Sequence, residues 1–337
     1  MTHVLRAAGP GDLDAIYQMA KRTGGGFTNL PPNRAYLQRK LERAEASFDR
    51  RGETAGDDQF VFVLENVASG KVVGTCQIFS KIGSTWPFYS YRLGRVTQFS
   101  EALNRTFRAD TLSLCTDLDG HTEVGGLYLH PEERAAGVGK LLARSRYLFI
   151  KAHRERFADS VIAELRGVQD EVGNSPFWDG LAGRFFEMSF READDFNAVN
   201  GNQFIADLMP KHTIYTALIS VGARAVIGVP NQSGRAAMRM LENENFAFAN
   251  YIDIFDGGPT MICRTDAIRT IATALSSPVV AIQEIEAEPQ LLATGRLANF
   301  RSCYGAIAPH EGGLVIAPES AELLQAGIGD TVFHSPG

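Results

Sequence analysis

Residues 123–149 read EVGGLYLHPEERAAGVGKLLARSRYLF, and this stretch decides the fold of the chain around it. Residues 124–129 are apolar and Pro131 follows them, which predicts a strand that ends before the proline. Residues 134–139, RAAGVG, form a turn with two glycines and without a bulky side chain at its centre. After the turn, apolar residues recur at helical spacing with basic residues on the opposite face. We therefore predict a strand, a glycine turn and an amphipathic helix.

The start of this helix is predicted to bind a phosphate or pyrophosphate group. Unpaired N–H groups at a helix N-terminus and the positive end of the helix dipole attract anions, and glycines let the backbone approach them. The spacing excludes GxxxxGK[ST] and GxGxxG loops. A plain tight turn before a helix is the alternative. A strand ending in x-Pro, followed by RxxGxG and a helix, resembles the acyl-CoA signature of the GNAT superfamily of N-acyltransferases.

Length and composition are those of an ordinary soluble globular protein. The chain has 337 residues, with 45% hydrophobic and 21% charged residues, which allows two domains or one large one. The net charge of −6 argues against nucleic-acid binding. No apolar run reaches the roughly 20 residues of a membrane helix, and residues 1–16 carry no secretory signal pattern. Four scattered cysteines without a CxxC pair favour reduced thiols in a cytoplasmic protein, with no metal site.

The order of predicted elements indicates an α+β fold. A strand at residues 3–7, two helices, strands at 60–65, 71–79 and 111–116, the organising stretch, a strand at 160–167 and a helix at 175–190 follow in turn. Residues 83–96, GSTWPFYSYRLGRV, are predicted to be an irregular aromatic segment that walls a pocket or packs over the sheet.

Three regions are expected along the chain. Residues 1–195 form a GNAT acyl-CoA-binding domain, and residues 196–276 form a second, degenerate GNAT-like half. Residues 277–337 form a β-rich C-terminal segment packed on the body.

Four further segments resemble the arginine N-succinyltransferase family. They read KRTGGGFTNLPPN (21–33), AELRGVQDEVGNSPFWDGL (163–181), IADLMPKHTIYTALI (205–219) and NYIDIFDGGPT (250–260). The resemblance implies transfer of a succinyl group from succinyl-CoA to the α-amine of L-arginine. It also implies succinyl-CoA as a co-substrate, no permanently bound cofactor, small-molecule substrates without nucleic-acid or membrane partners, and a homo- or hetero-oligomer.

The resemblance to GNAT enzymes assigns a CoA site to the organising stretch. The strand would hold the pantetheine arm by backbone bonds, and the N–H of Leu127 would polarise the thioester carbonyl. The residues implied for CoA are Leu127, Leu129, Arg134, Ala135, Ala136, Gly137, Val138 and Gly139.

The sequence offers several candidates for the group that handles protons. In the family a histidine is the proton donor, and Asn231 stands at its place here. Asparagine forms hydrogen bonds but cannot transfer a proton near neutral pH. His212 and then His121 are substitute candidates, as is Glu164 acting through water, and each has a structural role as its alternative. Other outcomes are that the thiolate leaves unaided or that the chain is not itself the catalyst.

The acceptor's guanidinium group would need carboxylates. Asp253 and Asp256 in YIDIFDGGP are the candidates, although they are also typical of a turn. Two alternative functions stay open: an N-acyltransferase for ornithine or another amino acid, and a non-catalytic CoA-binding subunit of a hetero-oligomer.

Overall fold

The computed structural model describes residues 2–23, 29–134 and 137–337. The strands are β1 (His3–Ala7), β2 (Gln59–Asn66), β3 (Lys71–Phe79), β4 (Ser90–Ser100), β5 (Arg105–Cys115), β6 (Thr122–Leu129), β7 (Ser160–Glu164), β8 (Ile214–Tyr215), β9 (Ala247–Asp253), β10 (Pro259–Arg264), β11 (Leu275–Ile282), β12 (Gln290–Thr294), β13 (Arg301–Gly305), β14 (Ile307–His310), β15 (Gly313–Ile316) and β16 (Thr331–Ser335). The helices are α1 (Leu13–Arg22), α2 (Arg34–Asp49), α3 (Val138–Ala152), α4 (Pro176–Gly180), α5 (Gly183–Phe186), α6 (Phe190–Asn200), α7 (Gln203–Leu208), α8 (Val221–Ala225), α9 (Arg235–Asn243), α10 (Arg269–Thr273) and α11 (Pro318–Leu324).

The chain divides into two compact units. The first comprises Met1–Lys81, Thr122–Asp159 and Arg264–Gly337, and the second comprises Ile82–His121 and Ser160–Cys263. The α+β class and the β-rich C-terminal region predicted from the sequence are confirmed. None of the helices in the described ranges combines the length and hydropathy that a bilayer crossing demands.

In the first unit the strand order is β14-β15-β11-β16-β12-β13-β1-β2-β3-β6. The pairs are antiparallel, except that β11 and β15 are parallel. Strand β1 lies between β2 and β13, so the N-terminal strand pairs directly with a strand of the C-terminal region.

The core of this unit is centred on Phe149 of α3. Five phenylalanine rings lie with their centroids within 6.1 Å of the Phe149 ring; they belong to Phe48, Phe60, Phe62, Phe157 and Phe300. Most of these pairs meet at steep angles, the edge-to-face geometry that aromatic rings prefer. This packing fixes α3, and with it the helix start that follows the glycine turn.

In the second unit the strand order is β7-β10-β9-β4-β5-β8. Its core is built around Trp178, whose ring stacks on Phe186 at 5.7 Å and on Phe255 at 5.6 Å. The indole N–H of Trp178 donates a hydrogen bond to the carbonyl of Met188 at 2.8 Å, so the buried ring has no unsatisfied polar group.

Two sequence predictions about this unit are wrong in part. The irregular segment predicted at 83–96 becomes a strand from Ser90 onward, because β4 pairs residue by residue with β5 from Ser90↔Cys115 to Ser100↔Arg105. The single helix predicted at 175–190 is interrupted at Leu181. A Cβ at Gly183 would lie 3.0 Å from the Trp178 ring, so the chain turns closely around that side chain.

Candidate functional site

The predicted anion site lies at the start of α3 in the first unit. Gly137 is the N-cap residue, has φ of +81° and provides no side-chain cap for the helix. That backbone conformation favours glycine, because a Cβ is strained there. The first N–H groups of an α-helix have no partner within the helix, so those at Val138 and Gly139 are suited to bind an anion. The predicted contacts at Ala135 and Ala136 lie outside the described residues.

Strand β6 contains a bulge at the position predicted to polarise the thioester. Gly125 pairs with Gln77 and Tyr128 pairs with Thr75, so Gly126 and Leu127 together oppose a single residue of β3. Gly126 has φ of +57°. A bulge leaves an extra residue outside the regular ladder and redirects its backbone groups. The bulge therefore supports the prediction that the N–H of Leu127 lies outside the regular β3–β6 ladder and can donate to a ligand.

The turn between β6 and α3 is held by side chains. The Arg134 Nε donates to the carbonyl of Leu129 at 3.1 Å, which ties the turn to the end of the strand. Glu133 accepts hydrogen bonds from His3 at 2.9 Å and from Asn66 at 3.2 Å. The bond from His3 lowers the pKa of Glu133 below its usual value. The turn is thus anchored on β1 and β2.

A buried polar cluster adjoins the bulge, and the sequence reasoning did not find it. Glu123 of β6 and Lys40 of α2 are 6% and 7% exposed, so both charged groups are removed from water. The Lys40 Nζ donates to the carbonyl of Asn29 at 2.5 Å, and the side chain of Asn29 is hydrogen-bonded to Glu123. Burial raises the pKa of Glu123 to about 7 and lowers that of Lys40 to about 7.

One sequence signal points to this cluster. The buried residues Leu37, Leu41 and Ala44 form the apolar stripe of α2, and Lys40 lies on the same side. A lysine on the buried side of an amphipathic helix requires a polar partner inside the protein. Here Lys40 donates to the carbonyl of Asn29, whose side chain is hydrogen-bonded to the glutamate at the start of the organising stretch.

The two aspartates predicted to bind a guanidinium group hold a turn in the second unit. The Oδ1 of Asp253 accepts the N–H groups of Phe255 at 2.7 Å and Asp256 at 2.8 Å, and the Oδ1 of Asp256 accepts that of Gly258 at 2.9 Å. Burial, followed by the adjacent Asp256 carboxyl, raises the pKa of Asp253 to about 8. Their contact with a substrate stays a prediction.

The candidate proton-handling residues belong to the second unit. The side chain of Asn231 accepts the N–H of Ser233 at 3.0 Å, and its own N–H donates to the carbonyl of Arg166 at 2.7 Å. That bond places the Asn231 loop beside the segment that follows β7. Strand β7 itself ends at Glu164, which is half-buried. His212 is exposed, between α7 and β8. The structure therefore places Asn231 next to Arg166, two residues beyond Glu164, and the roles of Asn231, Glu164 and His212 stay predictions.

The described residues contain no group of three or more His, Cys, Asp or Glu side chains that could hold a metal ion. The four cysteines are free thiols, three of them buried, and Cys115 is partly exposed.

Comparison with known proteins gives full-length matches. The family described as arginine N-succinyltransferase beta subunit matches residues 3–270, and its C-terminal domain family matches residues 274–336. The arginine N-succinyltransferase subunit beta of Pseudomonas aeruginosa is 40% identical over 335 residues, 99% of this chain and 98% of that protein. The arginine N-succinyltransferase of Escherichia coli is 40% identical over 332 residues, 98% of this chain and 96% of that protein.

A solved structure is similar over the same length. The arginine/ornithine succinyltransferase subunit AI from Pseudomonas aeruginosa superposes with a TM-score of 0.91 and 33% sequence identity, covering 99% of this chain and 98% of that one. Both units of the fold are therefore shared with it.

Proposed function

Because the chain belongs to the arginine N-succinyltransferase family, we propose that it transfers the succinyl group of succinyl-CoA to the α-amine of L-arginine and releases CoA. The predicted family and its acyltransferase class are confirmed by the full-length matches. The bulge in β6, together with a glycine N-cap at the start of α3 in the same unit, is the observation that supports this chain's own part in the reaction.

Acyl transfer to an amine needs anchoring, polarisation and loss of a proton. The start of α3 binds the CoA pyrophosphate through its free N–H groups, with Gly137 allowing the close approach. Strand β6 holds the pantetheine arm, so that the thioester carbonyl lies at the bulge. The N–H of Leu127 donates to the carbonyl oxygen, which becomes negatively charged as the amine attacks. The C–N bond forms, the C–S bond breaks, and the CoA thiolate leaves.

The acceptor is L-arginine in this proposal, and L-ornithine is the competing acceptor because the similar solved structure is described with both. Asp253 and Asp256 are the carboxylates proposed for the guanidinium group. A non-catalytic CoA-binding role is the second candidate, and the engaged amide of Asn231 at the family's histidine position is the observation that favours it.

Turnover by the purified chain separates these functions. Succinyl-CoA is supplied with L-arginine or L-ornithine, and both free CoA and the succinylated amino acid are quantified by chromatography, which avoids signal from the partly exposed Cys115 thiol. We expect CoA and succinylarginine in equal amounts. Binding of succinyl-CoA without any product would contradict catalysis by this chain and favour the subunit function.

The CoA site is tested by a matched glycine pair. Gly137 and Gly312 both have φ of +81°, so a valine strains the backbone equally at either position. A Cβ at Gly312 meets nothing within 4 Å, and Gly312 lies in the turn between β14 and β15. We expect Gly137→Val to weaken CoA binding about 10-fold or more, with Gly312→Val near wild type. Equal CoA affinities in both variants would refute the anion site.

A further inference from the structure

The carboxyl group of Glu123 folds along its own strand toward the bulge. A Cβ placed on Gly125 would lie 3.1 Å from the Glu123 Oε1 and 3.2 Å from the Asn29 Nδ2. A side chain at position 125 would therefore push the carboxyl group of Glu123 out of its place by a few tenths of an ångström. Gly125 is two residues before Leu127 in β6, so the carboxyl lies beside the part of the strand that carries the bulge.

Among the described residues, the side-chain amide of Gln77 provides a hydrogen-bond donor without a partner near the Glu123 carboxyl group. The Gln77 side chain is 1% exposed, and its Nε2 has no hydrogen-bond partner within the described part of the chain. This Nε2 lies 3.8 Å from the Gly125 Cβ position, beside the Glu123 carboxyl. Its amide oxygen accepts a bond from Gln59 at 3.3 Å, which fixes the orientation of the free donor. A carboxylate and a buried amide donor that converge in this way can hold one water.

Charged and titratable groups surround Glu123 from three elements. Lys40 and Tyr36 face it from α2, and burial raises the pKa of the Tyr36 hydroxyl. Cys76 lies on β3 and interacts with both Lys40 and Arg146 of α3, and burial raises its pKa to about 12. The Arg146 Nη1 donates to the carbonyl of Gly125 at 3.4 Å. Lys40 is thus the group that opposes the carboxylate charge of Glu123 most directly.

We propose that Glu123 is the proton acceptor of the acyl transfer, acting through one water that Gln77 also binds, and that Lys40 is a positioning residue that balances its charge. The inference rests on the proposed function and assigns the proton-accepting role that the asparagine at position 231 cannot fill. An amine is protonated near neutral pH and cannot attack until it loses a proton.

The proton balance follows from these positions. One N–H bond of the substrate ammonium breaks, and its proton passes through the water to form the carboxylic O–H of Glu123. The free amine attacks the thioester carbonyl, and the second N–H proton goes to the departing CoA thiolate. Glu123 then returns its proton to solvent, and the neighbouring Lys40 ammonium favours the restored carboxylate.

The pH profile of turnover tests this inference with Glu123→Gln. At pH 7 we expect kcat/KM for the amine to fall about 100-fold or more, with CoA affinity unchanged. The loss of kcat/KM should become smaller above pH 8, because the substrate α-amine is then already deprotonated and needs no proton acceptor. A control is Asp12→Asn, which removes another buried carboxylate of the same unit, one paired with Arg6. A Glu123→Gln enzyme with wild-type kcat/KM at pH 7, or an equal loss at every pH, would overturn the inference.

A second variant, Lys40→Met, tests the inference even if the Glu123→Gln protein does not fold. Lys40→Met keeps the carboxyl group but removes its counter-charge, so the acidic limb of the kcat/KM profile should move to higher pH while kcat at pH 9 is retained. An unmoved limb would refute the positioning function of Lys40. A wild-type protein that releases no CoA with any amine refutes the proposed function itself. If the wild-type protein is active and Glu123→Gln and Lys40→Met have the same kcat/KM profile as the wild type, only this inference is refuted.

Discussion

Acidification should destabilise the first unit through His153. Its Nδ1 lies 3.0 Å from the carbonyl of Phe149, so this nitrogen carries the hydrogen. The Nε2 lies 3.3 Å from the N–H of Leu297 and must accept, which requires the neutral ring. Protonation at Nε2 would set two N–H groups against each other. Burial lowers the pKa of His153 to about 4, and the nearby Arg296 and Arg156 add to the effect.

The sign and size of the effect follow from the two pKa values. An unfolded histidine titrates near its ordinary pKa of about 6.5, while the folded one resists protonation down to about 4. The unfolded state therefore binds the proton first, and the stability present above pH 6.5 is lost as the pH falls toward 4. The gap of roughly 2.5 pKa units, at about 1.4 kcal/mol each, corresponds to about 3 kcal/mol.

Urea unfolding between pH 7 and pH 4 measures this loss. His153→Gln keeps a neutral polar side chain and lacks the titration, so its free energy of unfolding should depend less steeply on pH. The difference between the wild-type and variant curves should approach about 3 kcal/mol at pH 4. Hydrogen exchange at the Leu297 amide gives a local readout of the same bond. Parallel curves for the two proteins would refute the reasoning.

Two further substitutions test buried contacts, and a third in an exposed pair is the control. Asp58→Asn should lower the free energy of unfolding by about 3–5 kcal/mol, because Arg156, bonded to Asp58 at 3.0 Å, stays buried without its counter-charge. Asp110→Asn, in an exposed pair, should cost about 1 kcal/mol or less, and equal losses in urea unfolding would contradict this. Gly125→Ala should lower kcat/KM about 10-fold or more by displacing the Glu123 carboxyl, with CoA binding retained; unchanged steady-state kinetics would argue against that displacement.

Hydrophobic patterning predicted the elements that are buried in the core. Strands β2 and β3 are each buried over six consecutive residues and α3 over most of its length, and these elements were predicted within a few residues. It failed for β4, whose outer part is exposed on both faces and therefore shows no alternation of apolar and polar residues. There the pairing of backbone groups with β5 defines the strand, and this pairing depends on residues far along the chain.

The candidate site was predictable where it depends on backbone geometry. The glycine turn, the helix start and the strand before it have local signatures, and Gly137 shows the expected left-handed conformation. The buried pair of Lys40 and Glu123 was missed because its members are distant in sequence and each, taken alone, is a common surface residue. Only the position of Lys40 on the apolar side of α2 gave a local signal.

The position of β1 between β2 and β13 has a consequence for synthesis on the ribosome. Arg6 pairs with Arg301, so about 300 residues must be translated before the partner of this strand exists. Until then one edge of β1 presents unpaired backbone groups, which invite pairing with other nascent chains. Messages cut short before the β13 codons should therefore yield insoluble products, even though they encode the whole stretch at residues 123–149.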